Sequence, residues 1–298
     1  MLSFYRKVII VIVCGLAAGI SSAIFLQVLE LITNDNFISY NYYFLPLAGL
    51  LIVYLYQKFS PESNQGNNLL INNKFQIPLL MAPLVLLGTW LSHLVGASVG
   101  REGTAVQMSG SISFNILNKL KLIHNNEDLI IKSAIAAGFS AVFGTPLAGI
   151  AFAFEINKNP LQKRNLQLLF RVLFASYIGH FTCIYLGTKH SEFNPILIDW
   201  NLILIPILIL LSVIFGLSSS LFIFLQEQLK LYFKKNKINP YILISLGSII
   251  LIIIFSFPYF FKYQSLGVKY ILDSFKIAEN FETSILKLII TVFTLSIG

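Results

Sequence analysis

Residues 100–114 read GREGTAVQMSGSISF: Gly100-Arg101-Glu102-Gly103-Thr104, then a helical run of small and apolar residues. Two ionisable side chains stand side by side between glycines at a helix start, and apolar segments flank them. Ionisable groups at membrane depth are costly and are kept for function. The glycines let the backbone approach a ligand closely. The first N–H groups of the helix, at 103–106, have no intrahelical partner. With the helix dipole they form a site for an anion. Gly100, Arg101 and Gly103 are therefore candidate anion-binding residues. The carboxylate of Glu102 could occupy the same site, compete with a transported anion, and leave when protonated. On these residues alone, an N-terminal cap glutamate in a water-exposed loop remains an alternative.

Composition places this stretch in a membrane. The chain is 56% hydrophobic and only 11% charged, with mean hydropathy +0.77, where a soluble domain carries roughly a quarter charged residues. Residues 8–32 contain one charge, Glu30, and residues 202–225 and 240–261 contain none. About 20 predominantly apolar residues span a bilayer as a helix. The first run is too long for a cleavable signal segment and lacks a small-x-small exit, so it reads as a retained span. The net charge of +8 could suit nucleic acid in a soluble protein. Here the basic residues fall between the apolar runs and read as topology. Cys14 and Cys183 sit in apolar segments and form no metal or redox motif. No cofactor is expected. Abundant Ile, Asn, Phe and Lys fit an AT-rich, bacterial genome.

Apolar periodicity predicts helices near 8–32, 43–57, 77–95, 102–118, 128–142, 146–156, 166–187, 200–229, 240–261 and 285–298. Several are too short to span. Gly96-Ala97-Ser98-Val99-Gly100 separates one pair and Gly144-Thr145-Pro146 another. Breaks at membrane depth are tolerated only where protein or a watery cavity surrounds them, and they point to a transport site. Arg6 and Lys7 precede the first span. Lys58, Lys119 with Lys121, Lys158 with Lys163 and Arg164, and Lys230 to Lys237 follow later ones, while residues 33–42 carry no Lys or Arg. This alternation predicts a cytoplasmic N-terminus. A division near 188–201 gives a first part, 1–187, and a shorter second part, 188–298. The last apolar run reaches Gly298 without a polar exit, so the chain reads as truncated, and a protein stopping there is expected to transport nothing.

Two further segments carry information. Residues 136–155, AAGFSAVFGTPLAGIAFAFE, hold small residues that permit close helix packing, with Pro146 suited to a first helical turn. Residues 66–70, GNNLL, follow the polar stretch SPESNQ and read alone as a turn.

In order and spacing, the three segments resemble the CLC chloride channel and transporter family, over roughly residues 8–298. GREGT is similar to the family's second signature, G-[KR]-E-G-P. AAGFSAVFGTPLAGIAFAFE is similar to the Ala-Gly-rich helix and Pro-Leu-Ala-Gly turn that follow it. GNNLL stands where the first signature, G-S-G-I-P, belongs. The resemblance implies an all-α integral membrane fold: an inverted repeat with broken and re-entrant helices, its second half incomplete. It implies a homodimer with one pore per subunit, and it assigns Glu102 the role of external gate and proton carrier. Gly66, Asn67 and Thr104 then join the anion-binding set. Asn67 stands in place of the serine that coordinates the central anion, and Thr104 in place of the proline. Glu155 is followed by Ile156, so the internal proton-transfer glutamate of chloride/proton antiporters is missing. The third signature, G-x-F-x-P, and the late pore tyrosine are also absent from these residues. These departures are similar to the fluoride-exporting branch, whose members exchange fluoride for protons. An Asn amide offers two N–H donors where serine offers one hydroxyl.

The expected function is transmembrane transport of small anions, fluoride out against protons in, with a chloride-selective channel or exchanger as the alternative. The expected partners are fluoride or chloride ions, protons and the lipid bilayer, without nucleic acid, in a bacterial inner membrane. An intramembrane serine protease using His93 with Ser98 or Ser109 would need nucleophile and base within hydrogen-bond reach. His93 and Ser109 lie on separate segments with no Gly-x-Ser-x-Gly elbow, so no enzyme activity is expected.

Overall fold

The computed structural model describes residues 2–33, 41–72, 77–156, 166–190, 201–274 and 281–297. Every regular element among them is helical. In order they are α1 (Leu2–Ile32), a 3-10 turn (Asn41–Phe44), α2 (Leu45–Phe59), a 3-10 turn (Pro61–Gln65), α3 (Asn67–Asn72) and α4 (Met81–Leu94). There follow α5 (Glu102–Lys119), α6 (Glu127–Phe143), α7 (Pro146–Glu155), α8 (Leu166–Tyr185) and α9 (Leu204–Lys235). The series closes with α10 (Pro240–Phe255), a 3-10 turn (Pro258–Tyr263), α11 (Val268–Ser274) and α12 (Phe281–Ile297). Phe4–Ile32, Leu166–Tyr185 and Leu204–Lys235 are long and apolar enough to cross a membrane, whereas α4, α7 and α10 are apolar but shorter. The expected class, an all-helical membrane fold with broken helices, is the one observed. Lys158, Lys163 and Arg164, used above for orientation, lie outside the described residues.

Several boundaries differ from the apolar pattern, each for a physical reason. GNNLL is not only a turn: Gly66 makes the turn at φ +58°, and Asn67 then opens the short helix α3. Leu69 and Leu70 are buried, and Leu70 packs against Gly110 of α5, so burial of an apolar pair extends what turn chemistry begins. α9 runs on to Lys235, past the predicted end at 229, because Lys residues in a last turn favour the negative end of the helix dipole. α10 stops at Phe255, short of 261, and Pro258 starts a separate 3-10 turn.

The chain forms two compact units, neither continuous in sequence. The first comprises Met1–Asn34, Tyr54–Leu91 and Gly100–His190; the second comprises Asp35–Val53, Ser92–Val99 and Ser191–Gly298. In the first unit α6 is central, with Ala134 through Ala137 fully buried. Small residues let the neighbouring helices approach at backbone distance. A Cβ at Gly138 would lie 2.5 Å from the Ala105 carbonyl oxygen of α5, and one at Gly149 of α7 would lie 2.6 Å from that of Ala136. A Cβ at Gly179 of α8 would lie 2.8 Å from the Ala137 carbonyl oxygen. In lipid, tails are as apolar as Leu, so this close van der Waals fit holds the helices together.

In the second unit, Tyr42, Leu45, Ala48, Leu251, Phe255, Tyr263, Ile290 and Ile297 form one buried cluster. Gly247 of α10 meets Ile297 of α12, where an added Cβ would lie 2.5 Å from Cδ1. α9 has no buried residue.

Gly138→Val is expected to destabilise the protein by about 1–3 kcal/mol, because a backbone oxygen cannot move aside as a side chain can. Gly216→Ala in α9, where a Cβ meets nothing within 4 Å, is expected to change stability by no more than about 1 kcal/mol. Thermal denaturation of both variants in detergent, beside the parent, checks this contrast.

Candidate functional site

All seven candidate residues fall in the first unit. Glu102 is the first residue of α5, and Arg101 at the N-cap provides no side-chain hydrogen bond to the helix end. The first helical bond runs from the Ala105 N–H to the Arg101 carbonyl at 3.1 Å. The amides of Glu102, Gly103 and Thr104 therefore lie ahead of the hydrogen-bonded ladder, at the positive end of the dipole. Glu102 is exposed, contrary to the burial expected of an ionisable group between apolar segments. Its carboxylate turns back over Gly100, where any Cβ would overlap Glu102 Oε2. Gly100 is thus required by close approach to the gate candidate itself.

Asn67 reaches this region through a residue that the sequence motifs do not mark. Gln107 Nε2 donates to Asn67 Oδ1 at 3.1 Å. The same nitrogen lies 3.3 Å from where a Cβ would stand on Gly66 and on Gly103. One amide therefore joins the 66–67 turn to the first turn of α5. The available signal was position: Gln107 is four residues after Gly103, hence on the same helix face, and polar in a run of small and apolar residues.

The other two candidates have side chains committed elsewhere. The Arg101 guanidinium lies over the Phe143 ring, 5.1 Å from its centroid. The Thr104 side chain is buried, and its hydroxyl pairs with Thr89 Oγ1 at 2.5 Å, while Thr89 Oγ1 also donates to the Val85 carbonyl. What Arg101 and Thr104 offer an anion is backbone and field. Ser109 is a packing residue, since a Cβ on Gly138 would overlap its hydroxyl.

Gly144 ends α6 in the left-handed conformation, φ +71° and ψ 19°, before Pro146 starts α7. His190 packs on this turn and stacks with His180 at 5.8 Å between ring centroids. Burial, then the charges of His180 and Arg101, push the His190 imidazole below the ordinary histidine value against a weaker opposing pull from the Val142 carbonyl.

Residues 48–298 match the family described as voltage gated chloride channel. The chain belongs to that family. A "Chloride/fluoride channel protein" of Pseudomonas syringae pv. tomato is 31% identical over 95% of this chain and 65% of its own length. The chain thus spans about two thirds of that curated relative. The crystal structure of a CLC-type fluoride/proton antiporter is similar at TM-score 0.88 and 30% identity, covering 100% of this chain and 77% of that one. A slow cyanobacterial Cl-/H+ antiporter, 20% identical, shares the fold at TM-score 0.81, over 98% of this chain and 74% of its own. The CLC family membership and the membrane fold agree with the resemblance drawn from the GREGT and AAGFSAVFGTPLAG segments.

Because the Thr104 hydroxyl pairs with Thr89, Thr104→Val is expected to lower stability by about 1 kcal/mol and to leave anion affinity unchanged. Denaturation and anion titration of the same variant separate the two effects. A loss of affinity without loss of stability would place the hydroxyl at the anion instead.

Proposed function

We propose that the chain belongs to a transporter that carries fluoride out of the cell in exchange for protons, with Glu102 as the gating and coupling residue. The observation that carries this reading is the uncapped start of α5, where the Glu102 carboxylate turns back over Gly100 and the next residue, Gly103, borders Gln107 of the Gln107–Asn67 pair. Amide donors and the helix dipole favour an anionic occupant. Two unit charges about 4 Å apart repel by about 4 kcal/mol at an effective dielectric constant of 20. An arriving anion therefore favours the neutral acid, and protonation releases the side chain. The proton leaves with it.

Fluoride fits the donor set better than chloride. Asn67 Oδ1 accepts from Gln107, which leaves both Asn67 Nδ2 hydrogens free to act as donors. A compact, strongly hydrated ion needs such donors at short range. The solved structure named above, 30% identical, is that of a fluoride/proton antiporter, and the curated relative is named for both chloride and fluoride. Glu155 is exposed at the end of α7 and is followed by Ile156, so coupling falls to Glu102 rather than to a glutamate pair. The protein acts as a transporter and not as an enzyme. It is a homodimer in a bacterial inner membrane, its N-terminus in the cytoplasm beside Arg6 and Lys7.

The full-length transporter, reconstituted, is expected to move fluoride in preference to chloride, and Asn67→Ser to shift that preference toward chloride. Efflux from liposomes followed with ion-selective electrodes reads both; equal fluoride and chloride rates in the parent protein overturn the fluoride assignment. In the same full-length transporter Glu102→Gln, a neutral near-isostere, is expected to abolish fluoride-driven proton uptake. Proton pumping by that variant at the parent rate removes Glu102 from the coupling mechanism.

A further inference from the structure

The second unit contains a cation to which the pathway above gives no task. Lys287 of α12 is partly buried. Its Nζ donates to Ser98 Oγ, to the Tyr263 carbonyl and to the Ser265 carbonyl, each at 2.8 Å. All three acceptors are neutral, and among the described residues no carboxylate forms an ion pair with it. The three N–H groups are satisfied while the positive charge is not.

The turn that Lys287 grips carries two polar groups in the opposite condition. Gln264 and Ser265 are only 6% and 7% exposed. Gln264 Nε2 and Ser265 Oγ have no hydrogen-bond partner among the described residues. Native proteins leave few such groups unpaired, and each calls for an explanation. An amide nitrogen is a donor only, and a serine hydroxyl can donate.

The backbone here is held in an unfavoured shape. Ser265, which is not glycine, has φ +52°, with Gly267 at +71° and Gly96 at +75°. The Ser265 N–H donates to the Gly96 carbonyl at 3.1 Å, and Ser98 Oγ pairs with Thr291 Oγ1 at 2.8 Å. Such strain persists where surrounding contacts over-determine it, and it clusters at functional sites. Here the contacts bind the unneutralised lysine to the turn that carries both unpartnered groups.

We infer that Lys287, Gln264 and Ser265 form a binding site for a halide-sized anion in the second unit. The ammonium supplies the field, and the Gln264 amide and Ser265 hydroxyl supply the contacts. A cation would be repelled. Water would satisfy the donors and leave the charge unneutralised. The site does not depend on fluoride being the transported ion, because any small anion meets its chemistry.

Bromide tests it, as a heavy halide whose position anomalous X-ray diffraction reads directly. Crystals of the purified protein grown in bromide are expected to show an anomalous peak in contact with Gln264 Nε2 and Ser265 Oγ. Lys287→Met is expected to abolish that peak. Gln264→Met leaves the lysine clamp intact, so it keeps the test valid if the lysine variant does not fold. It is expected to raise the bromide concentration for half occupancy about tenfold. Overturning results are no peak in the parent protein, a carboxylate seated on Lys287, or a peak of equal occupancy in both variants, which marks adventitious bromide. A protein found to prefer chloride in flux assays would still show the peak, so the two readings fail separately.

Discussion

Lipid offers no hydrogen bonds, so a helix that begins at membrane depth must bring its own partners or border an aqueous space. α5 begins after the break at Gly96–Gly100 with no capping side chain. Its leading amides are the constraint to which the surrounding residues answer. A serine or aspartate cap would quiet those donors and raise helix stability. The cap position instead holds Arg101, and beside it stands a glutamate whose carboxylate lies back over a glycine. Such a charge can occupy a donor site or vacate it, which a fixed cap cannot do.

Holding that helix start in place falls to a close-packed scaffold. α5 meets α6 at Gly138, α6 meets α7 at Gly149 and α8 at Gly179, each at backbone distance. Close packing supplies much of the attraction between apolar helices in lipid, and it requires small residues. The glycines and alanines of residues 136–155 are therefore structural, as their pattern indicates, and only the turn at Gly144 has an evident link to the Arg101 region through Phe143 and His190.

Helical class, membrane setting and the break before Glu102 were legible because each has a local cause: long uncharged runs, glycines between them, and an ionisable pair. The helix at Asn67–Asn72 was not, because its six residues carry too little periodicity, and what stabilises it is burial of Leu69 and Leu70 by residues far along the chain. Thr104 and Arg101 looked alike as neighbours of Glu102 in one motif. Their side chains part company only when Thr89 and Phe143 arrive beside them. Gln107 was missed for the converse reason. Its partner Asn67 is 40 residues away, and no spacing rule joins a helix-face glutamine to a distant turn.

That missed residue changes what the turn can present to an ion. A lone asparagine amide is ambivalent, with an acceptor oxygen and a donor nitrogen that rotation exchanges. The bond from Gln107 Nε2 to Asn67 Oδ1 couples the two amides, because turning the Asn67 amide around alone would set two NH2 groups against each other. The Asn67 oxygen is held toward Gln107, and its nitrogen is left to face outward with both hydrogens. One hydrogen of Gln107 Nε2 also stays unclaimed by that bond. A serine in the same place could rotate its hydroxyl to offer either a hydrogen or a lone pair, so its discrimination between an anion and water is weaker. The amide pair is a donor surface fixed by its own internal hydrogen bond, and Gly66 and Gly103, each 3.3 Å from Gln107 Nε2 at the Cβ position, leave it uncovered.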